Sequence, residues 1–161
     1  MPGKWCKTGL DSMRIAVGSD HRGVLMRIKL VELLRGLGQE VVDLGSHGPE
    51  PVDYPDIAAL VGWKVARHEV DRGILICGSG LGMCIVANKI PGVRAGPCYD
   101  DVTAEMSRRH NDLNVLCLSG DMLGDRLADR LVEIWLKTPF EGGRHARRLR
   151  KIAKLESHNG D

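Results

Sequence analysis

Aromatic residues are scarce in this chain, at 4% of 161 residues, which weighs against a base-stacking platform as the main activity. Charge of one sign is also lacking: 23 Lys and Arg face 21 Asp and Glu, a net +2 with His neutral. Composition therefore argues for neither nucleic acid nor an anionic surface as partner. No apolar run approaches the roughly 18 residues that a membrane span needs. The first twelve residues, MPGKWCKTGLDS, lack the apolar centre of a signal peptide. The five cysteines (Cys6, Cys77, Cys84, Cys98, Cys117) are odd in number and none is spaced CxxC. That argues against a disulfide framework or a zinc knuckle and for reduced thiols in a cytoplasmic protein. Internal repeats, low-complexity stretches and an interdomain linker are absent too.

What is there fits one domain with a sizeable core. Residues 13–155 read as that domain, 1–12 as a loose extension with Met13 as an alternative start, and 156–161 as a frayed tail. Short apolar runs alternate with helical patterns. RIAVG (Arg14–Gly18) is strand-like, and a helix follows in which Val24, Ile28, Val31 and Leu34 recur at helical spacing, with Gly36 and Gly38 at its end. EVVDLG predicts a second strand. The next helix carries Pro55 near its start and Ile57, Val61 and Val65 on one face. GILIC predicts a third strand, then a short helix through Ile90, a fourth strand at VRAGPC and a helix from Asp100 to Arg109. NVLCLSG predicts a fifth strand. Leu123, Leu127, Leu131 and Trp135 stripe the following helix, and a basic helix from about Arg144 to Leu155 closes the chain. Five strands alternating with helices predict a single-domain, Rossmann-like three-layer α/β/α fold, its five-stranded sheet mostly parallel with helices on both faces. Ligands of such sheets sit beyond the carboxyl ends of the strands. Polar and glycine-rich segments gather there: GSDHRG after strand one, GSHGPEPVDYP after strand two, CGSGLG after strand three.

CGSGLG is not a dinucleotide fingerprint, because the third glycine of G-x-G-x-x-G falls on Met83 and the turn follows the third strand instead of the first. It reads either as a tight turn that lets a helix pack or as a cradle for an anion. Cys77, taken alone, reads as a small buried hydrophobe. Its place at a strand end before a helix N-terminus favours a thiolate instead. Asp20 and His21 are either a helix cap with a surface imidazole or a carboxylate–imidazole pair that moves protons or holds phosphate. His110-Asn111-Asp112 reads as a helix C-cap or as part of a site. Asp53 reads as a cap beside Tyr54. Arg144 and Arg148, four apart, share one helical face and could grip a phosphate, against a solvated basic face or a weak nucleic-acid contact as the alternative. Taken together these groups supply a base, proton donors, an anion cradle and a phosphate clamp, with no metal set and no nucleotide motif.

GSDHRG, DYP, GILICGSGLG, ANKIPGVRA, SRRHND and EGGRHARR stand in the order found in the type B ribose-5-phosphate isomerases, which this chain resembles over roughly Met13 to Leu155. The resemblance implies an aldose–ketose isomerase that works through a cis-enediolate without metal or organic cofactor. Related galactose-6-phosphate and allose-6-phosphate isomerases share the scaffold, and a non-catalytic sugar-phosphate-binding protein is a further alternative. Cys77 matches the base that moves a proton between C1 and C2. Some relatives use a glutamate a few residues later, and Met83 and its neighbours here carry no carboxylate. Ser79 matches a hydroxyl that relays protons or stabilises the enediolate, beside the amides of Gly78, Gly80 and Gly82. His110 matches the ring-opening histidine, with Asp20 on the sugar oxygens. Asn111 matches a ligand of the intermediate, Tyr54 lines the sugar pocket, and His21, Arg144 and Arg148 match phosphate-binding positions. Where many relatives carry a phosphate-binding arginine after the fifth strand, this chain has Asp121; Arg22 and Arg109 are the candidates to compensate. The resemblance also implies a homodimer, in some relatives a tetramer, with shared active sites. In it the His110 segment faces the partner's pocket and the last helix embraces the neighbouring chain.

Overall fold

Strand β3 (Arg72–Cys77) is buried at every residue, as a strand must be when a sheet is covered on both faces. The computed structural model describes residues 11–157, so most of the expected N-terminal extension, Cys6 and the end of the tail lie outside the described residues. Around β3 lie β1 (Arg14–Ser19), β2 (Glu40–Asp43), β4 (Ala95–Pro97) and β5 (Val115–Ser119), in the order β2-β1-β3-β5-β4. All four pairings are parallel, so the sheet is wholly parallel. The register sets Ser19 against Ile76 and Cys77 against Ser119, which brings the ends of β1, β3 and β5 level.

Right-handed crossovers divide the helices between the two faces. One core joins the sheet to α1 (Val24–Gly36), α4 (Asp101–Arg109) and α5 (Asp125–Lys137) through Ile15, Leu30, Ile74, Leu116, Leu131 and Trp135. The other joins it to α2 (Tyr54–Ala66) and α3 (Leu81–Ala87) through Val61, Val65, Leu75, Met83 and Val115. Helix α6 (Arg144–Ser157) extends two residues past its predicted end.

Three expectations change in detail. Helix α1 turns Met26, Leu30, Val31 and Leu34 inward and leaves Ile28 exposed, because Arg27 occupies part of the inner face. Helix α3 stops at Ala87, since Asn88 turns its side chain across the chain to clamp both backbone groups of Ala95 (2.9 and 2.8 Å). Strand β4 has only three residues and ends at Pro97, which lacks the N–H a longer edge strand would use. Among the described residues no helix is long and apolar enough to cross a membrane.

Candidate active site

Successive crossovers depart to opposite sides of β1 and β3, and the crevice between their carboxyl ends is the topological switch point of the sheet. Asp20 leaves β1 there, 5% exposed, its amide donating to Ile76 O at 3.1 Å. Its Oδ1 accepts from the amides of Arg22 (2.9 Å) and Gly23 (3.3 Å), so it fastens the turn ahead of α1, whose N-cap is Gly23. His21 is exposed and its Nδ1 accepts the amide of Val52 at 3.3 Å, which rests the β2–α2 loop against it. The start of that loop is pinned from below. Arg27, 4% exposed, donates to both carboxylate oxygens of Asp43 and to Ser46 O (2.9 Å). Ser46 in turn donates its amide to Ser19 O (2.8 Å).

Cys77 ends β3 at 4% exposure, and its Sγ accepts the amide of Gly80 at 3.1 Å. Gly80 holds φ +82°, and a Cβ there would lie 3.2 Å from the backbone of Leu118. Only glycine combines that left-handed turn with so close an approach. The turn is gripped from both sides: Ser119 Oγ donates to Gly78 O (2.5 Å) and the Tyr99 hydroxyl to Ser79 O (2.8 Å). Ser79 Oγ accepts the amide of Leu81 at 3.2 Å. Tyr54 lays its ring over Gly82, where a Cβ would meet Cε2 and Cζ at 2.7 Å. Asp20, Tyr54, Cys77, Ser79 and the three glycines are thus gathered at one edge, with His21 on the adjoining loop.

The structure does not bring His110, Asn111, Arg144 or Arg148 to that edge of the same chain. Helix α4 starts beyond the carboxyl end of β4 and runs back beside the sheet, so its nine residues carry His110 about 14 Å toward the opposite edge. There the His110 and His145 rings stack with centroids 4.2 Å apart and planes 8° from parallel. Glu141 Oε2 lies 3.6 Å from His110 Nε2 and 3.3 Å from His145 Nε2, and Arg109 holds Glu141 Oε1 at 3.0 Å. That arginine lowers the Glu141 pKa. Burial, followed by the charges of His110 and Arg144, lowers that of His145. These three side chains carry potential ligand atoms within 4.8 Å of one another. Two nearly parallel stacked imidazoles cannot both direct an in-plane lone pair at one ion, and the buried Nε2 of His145 makes no hydrogen bond within the described residues. Asn111 is exposed, lining a 360 Å³ cleft with Leu149 and Ile152 of α6. Arg144 and Arg148 are exposed on that helix.

Sequence reasoning missed Ser119, Tyr99, Glu141 and His145 as supporting groups. The first two lie where β5 and β4 reach the ligand edge, a signal that was available. Glu141 and His145 converge on His110 only through the fold. Of the two arginines weighed against Asp121, Arg109 pairs with Glu105 and Glu141 at the far end of α4, whereas Arg22 pairs with Asp121 beside the glycine turn. Among the other thiols, Cys98 and Cys117 are buried and their pKa values are raised, while half-buried Cys84 is lowered to about 7 by hydrogen bonding from Cys117 and Asn88.

A family model for Ribose/Galactose Isomerase matches residues 15–152. The chain is 44% identical over 143 residues to ribose-5-phosphate isomerase B of Escherichia coli, covering 89% of this chain and 96% of that protein. The structure of ribose-5-phosphate isomerase B from Clostridium thermocellum matches with a TM-score of 0.90 at 47% identity, covering 92% of this chain and 100% of that one. That of the Mycoplasma genitalium enzyme with bound ribulose 5-phosphate matches with a TM-score of 0.87 at 42% identity, covering 89% and 96%.

Proposed function

We propose, from the premise that this chain belongs to the ribose/galactose isomerase family, that it interconverts ribose 5-phosphate and ribulose 5-phosphate, with Cys77 as the base. One observation carries this reading: a buried cysteine at the switch point, its sulfur held by a glycine-turn amide, beside a buried aspartate. In the proposed sequence, Asp20 and His110 open the furanose by moving one proton off the anomeric hydroxyl and one onto the ring oxygen. The Cys77 thiolate then takes the C2 proton. The electron pair moves into the C1 carbonyl, and the enediolate oxygen develops against the amides of the Gly78–Gly82 turn. Ser79 passes a proton between the two enediol oxygens, and Cys77 returns its own to C1. No atom is gained or lost, as an isomerisation requires.

His110 joins this sequence from a second copy. Its placement at the opposite edge from Cys77 supports a site shared between two subunits, as do Ile152 and Leu155, left exposed on α6 at 45% and 68%. The sugar phosphate is then held by His21 of one subunit and Arg144 and Arg148 of the other, with Asn111 on the intermediate.

The test is complementation. Cys77→Ala and His110→Ala are each expected to lose at least about 10²-fold in turnover of ribose 5-phosphate. Unfolded and refolded together, they should regain about a quarter of wild-type activity, because half the dimers are mixed and each mixed dimer holds one intact site. An active Cys77→Ala overturns the base, and no recovery on mixing overturns the shared site. Faster turnover of galactose 6-phosphate than of ribose 5-phosphate would move the substrate to the hexose branch. Sugar-phosphate binding without exchange of the C2 proton for solvent deuterium would make the protein a binder and not an enzyme.

A further inference from the structure

The β1–α1 and β5–α5 loops cross directly above Gly78, and each places one charged side chain there. Arg22 Nε lies 3.2 Å from Asp121 Oδ1, and Nη2 lies 2.5 Å from Oδ2, a two-pronged fork. A Cβ at Gly78 would stand 3.0 Å from Asp121 Oδ2 and 3.2 Å from Arg22 Nε, and one at Gly120 would stand 2.8 Å from Arg22 O. Gly120 thus lets the two loop backbones approach, and Gly78 leaves room beneath the pair. The side chains are 59% and 40% exposed, and a surface pair of that kind adds only about 0–1 kcal/mol of stability. Stability alone therefore does not account for an arrangement that restricts two loops.

The fork uses two of the five guanidinium N–H groups. The remaining three point away from Asp121, on a residue adjoining His21 and packed over the residue that follows Cys77. We infer that Arg22 contacts the phosphate of the sugar-phosphate substrate, and that Asp121 is a positioning residue holding the guanidinium over the turn. A phosphate fits better than the reacting carbon–oxygen end. The guanidinium sits at a wet rim, where a dianion keeps part of its hydration, and its planar donors match phosphate oxygens. Because Asp121 is fully engaged by the fork, its charge is offset locally and the free N–H edge remains the face offered to an anion.

This inference rests on the sugar-phosphate reading above, and calorimetric titration of the full-length protein with inorganic phosphate separates the two. Arg22→Gln is expected to weaken phosphate binding, and to raise KM for ribose 5-phosphate, by about 10- to 100-fold, the loss of charge-assisted hydrogen bonds, with kcat kept within about twofold. Arg22→Lys, which keeps the charge and loses the fork, falls between wild type and Arg22→Gln. Asp121→Ala should weaken phosphate binding about three- to tenfold by releasing the guanidinium. Unchanged phosphate affinity in Arg22→Gln would overturn the inference and leave the pair as a link between loops. Tighter binding in Asp121→Ala would overturn the positioning role. A wild-type protein that binds phosphate through Arg22 without isomerising sugars would sink the proposed function and leave this inference standing.

Discussion

Gly80→Ala tests whether the turn under Cys77 is tuned for chemistry or is only a compact corner. Two costs can be worked out. An alanine at φ +82° carries the left-handed penalty of about 1–2 kcal/mol. Its Cβ would also lie 3.2 Å from the carbonyl carbon and oxygen of Leu118, backbone of a central strand that cannot swing aside, so the turn itself must move by a few tenths of an ångström. Together these give about 2–3 kcal/mol, or a Tm lower by about 5–10 °C for a chain of this size. The same shift draws the Gly80 amide from its 3.1 Å contact with the Cys77 sulfur, and loss of one oriented donor at a reacting centre costs about 10²-fold or more in kcat. Gly92→Ala supplies the control. It has φ +87° with nothing within 4 Å of the added carbon, so it carries the conformational penalty alone, about 1–2 kcal/mol, away from the site. Differential scanning calorimetry and steady-state turnover of ribose 5-phosphate on both variants read the difference. A kcat for Gly80→Ala equal to that of Gly92→Ala, or a Tm that falls no further than in that control, would refute a turn tuned for chemistry.

His145 has a folded-state pKa below its unfolded value, so the stability it contributes is present above the unfolded pKa of about 6.5 and is lost as pH falls below it. Tm should therefore drop more steeply between pH 7.5 and 5.5 in wild type than in His145→Gln; equal slopes in the two proteins would contradict the burial of a neutral imidazole against His110. Cys84, half-buried with a pKa lowered to about 7, should react with iodoacetamide near neutral pH well before Cys98, whose thiol burial raises, and Cys117, raised by its hydrogen bond to Cys84 and by burial. Peptide mass mapping after brief alkylation checks the order, and first labelling of Cys117 would reverse the assignment.

The parallel sheet and the ligand edge were legible because they rest on local signals: a buried run such as GILIC cannot be a half-exposed strand, and a glycine turn placed after it marks a carboxyl end. Asp20, Cys77, Ser79 and Tyr54 came together because each follows or faces a strand end. Helix faces were less legible. The Val24–Ile28 stripe has the right period, yet Arg27 reaches Asp43 and rotates the inner face toward Met26 and Leu30. A tertiary ion pair decided what periodicity left open. Glu141 and His145 were invisible for a different reason: 31 residues separate Glu141 from His110, and nothing local announces that a loop after α5 folds back on the end of α4.

Asp121 shows how a departure from pattern gains meaning only in space. The family resemblance leads one to expect an arginine there, and leaves Arg22 and Arg109 as the candidates to replace it. In the fold, Arg109 is held between Glu105 and Glu141, while Arg22 is drawn to Asp121 across a gap of 99 residues and set beside Gly78. An arginine on the β1–α1 loop, without a partner, would sweep a wide volume of solvent, and ordering its rotatable bonds on binding a phosphate would cost about 1.5–2 kcal/mol in side-chain entropy. The aspartate settles that cost during folding, so the guanidinium is already oriented when an anion arrives. The carboxylate that weakens the positive field at long range is thereby the group that sharpens it at contact distance, and substitutions at 22 and 121 should be coupled and not additive.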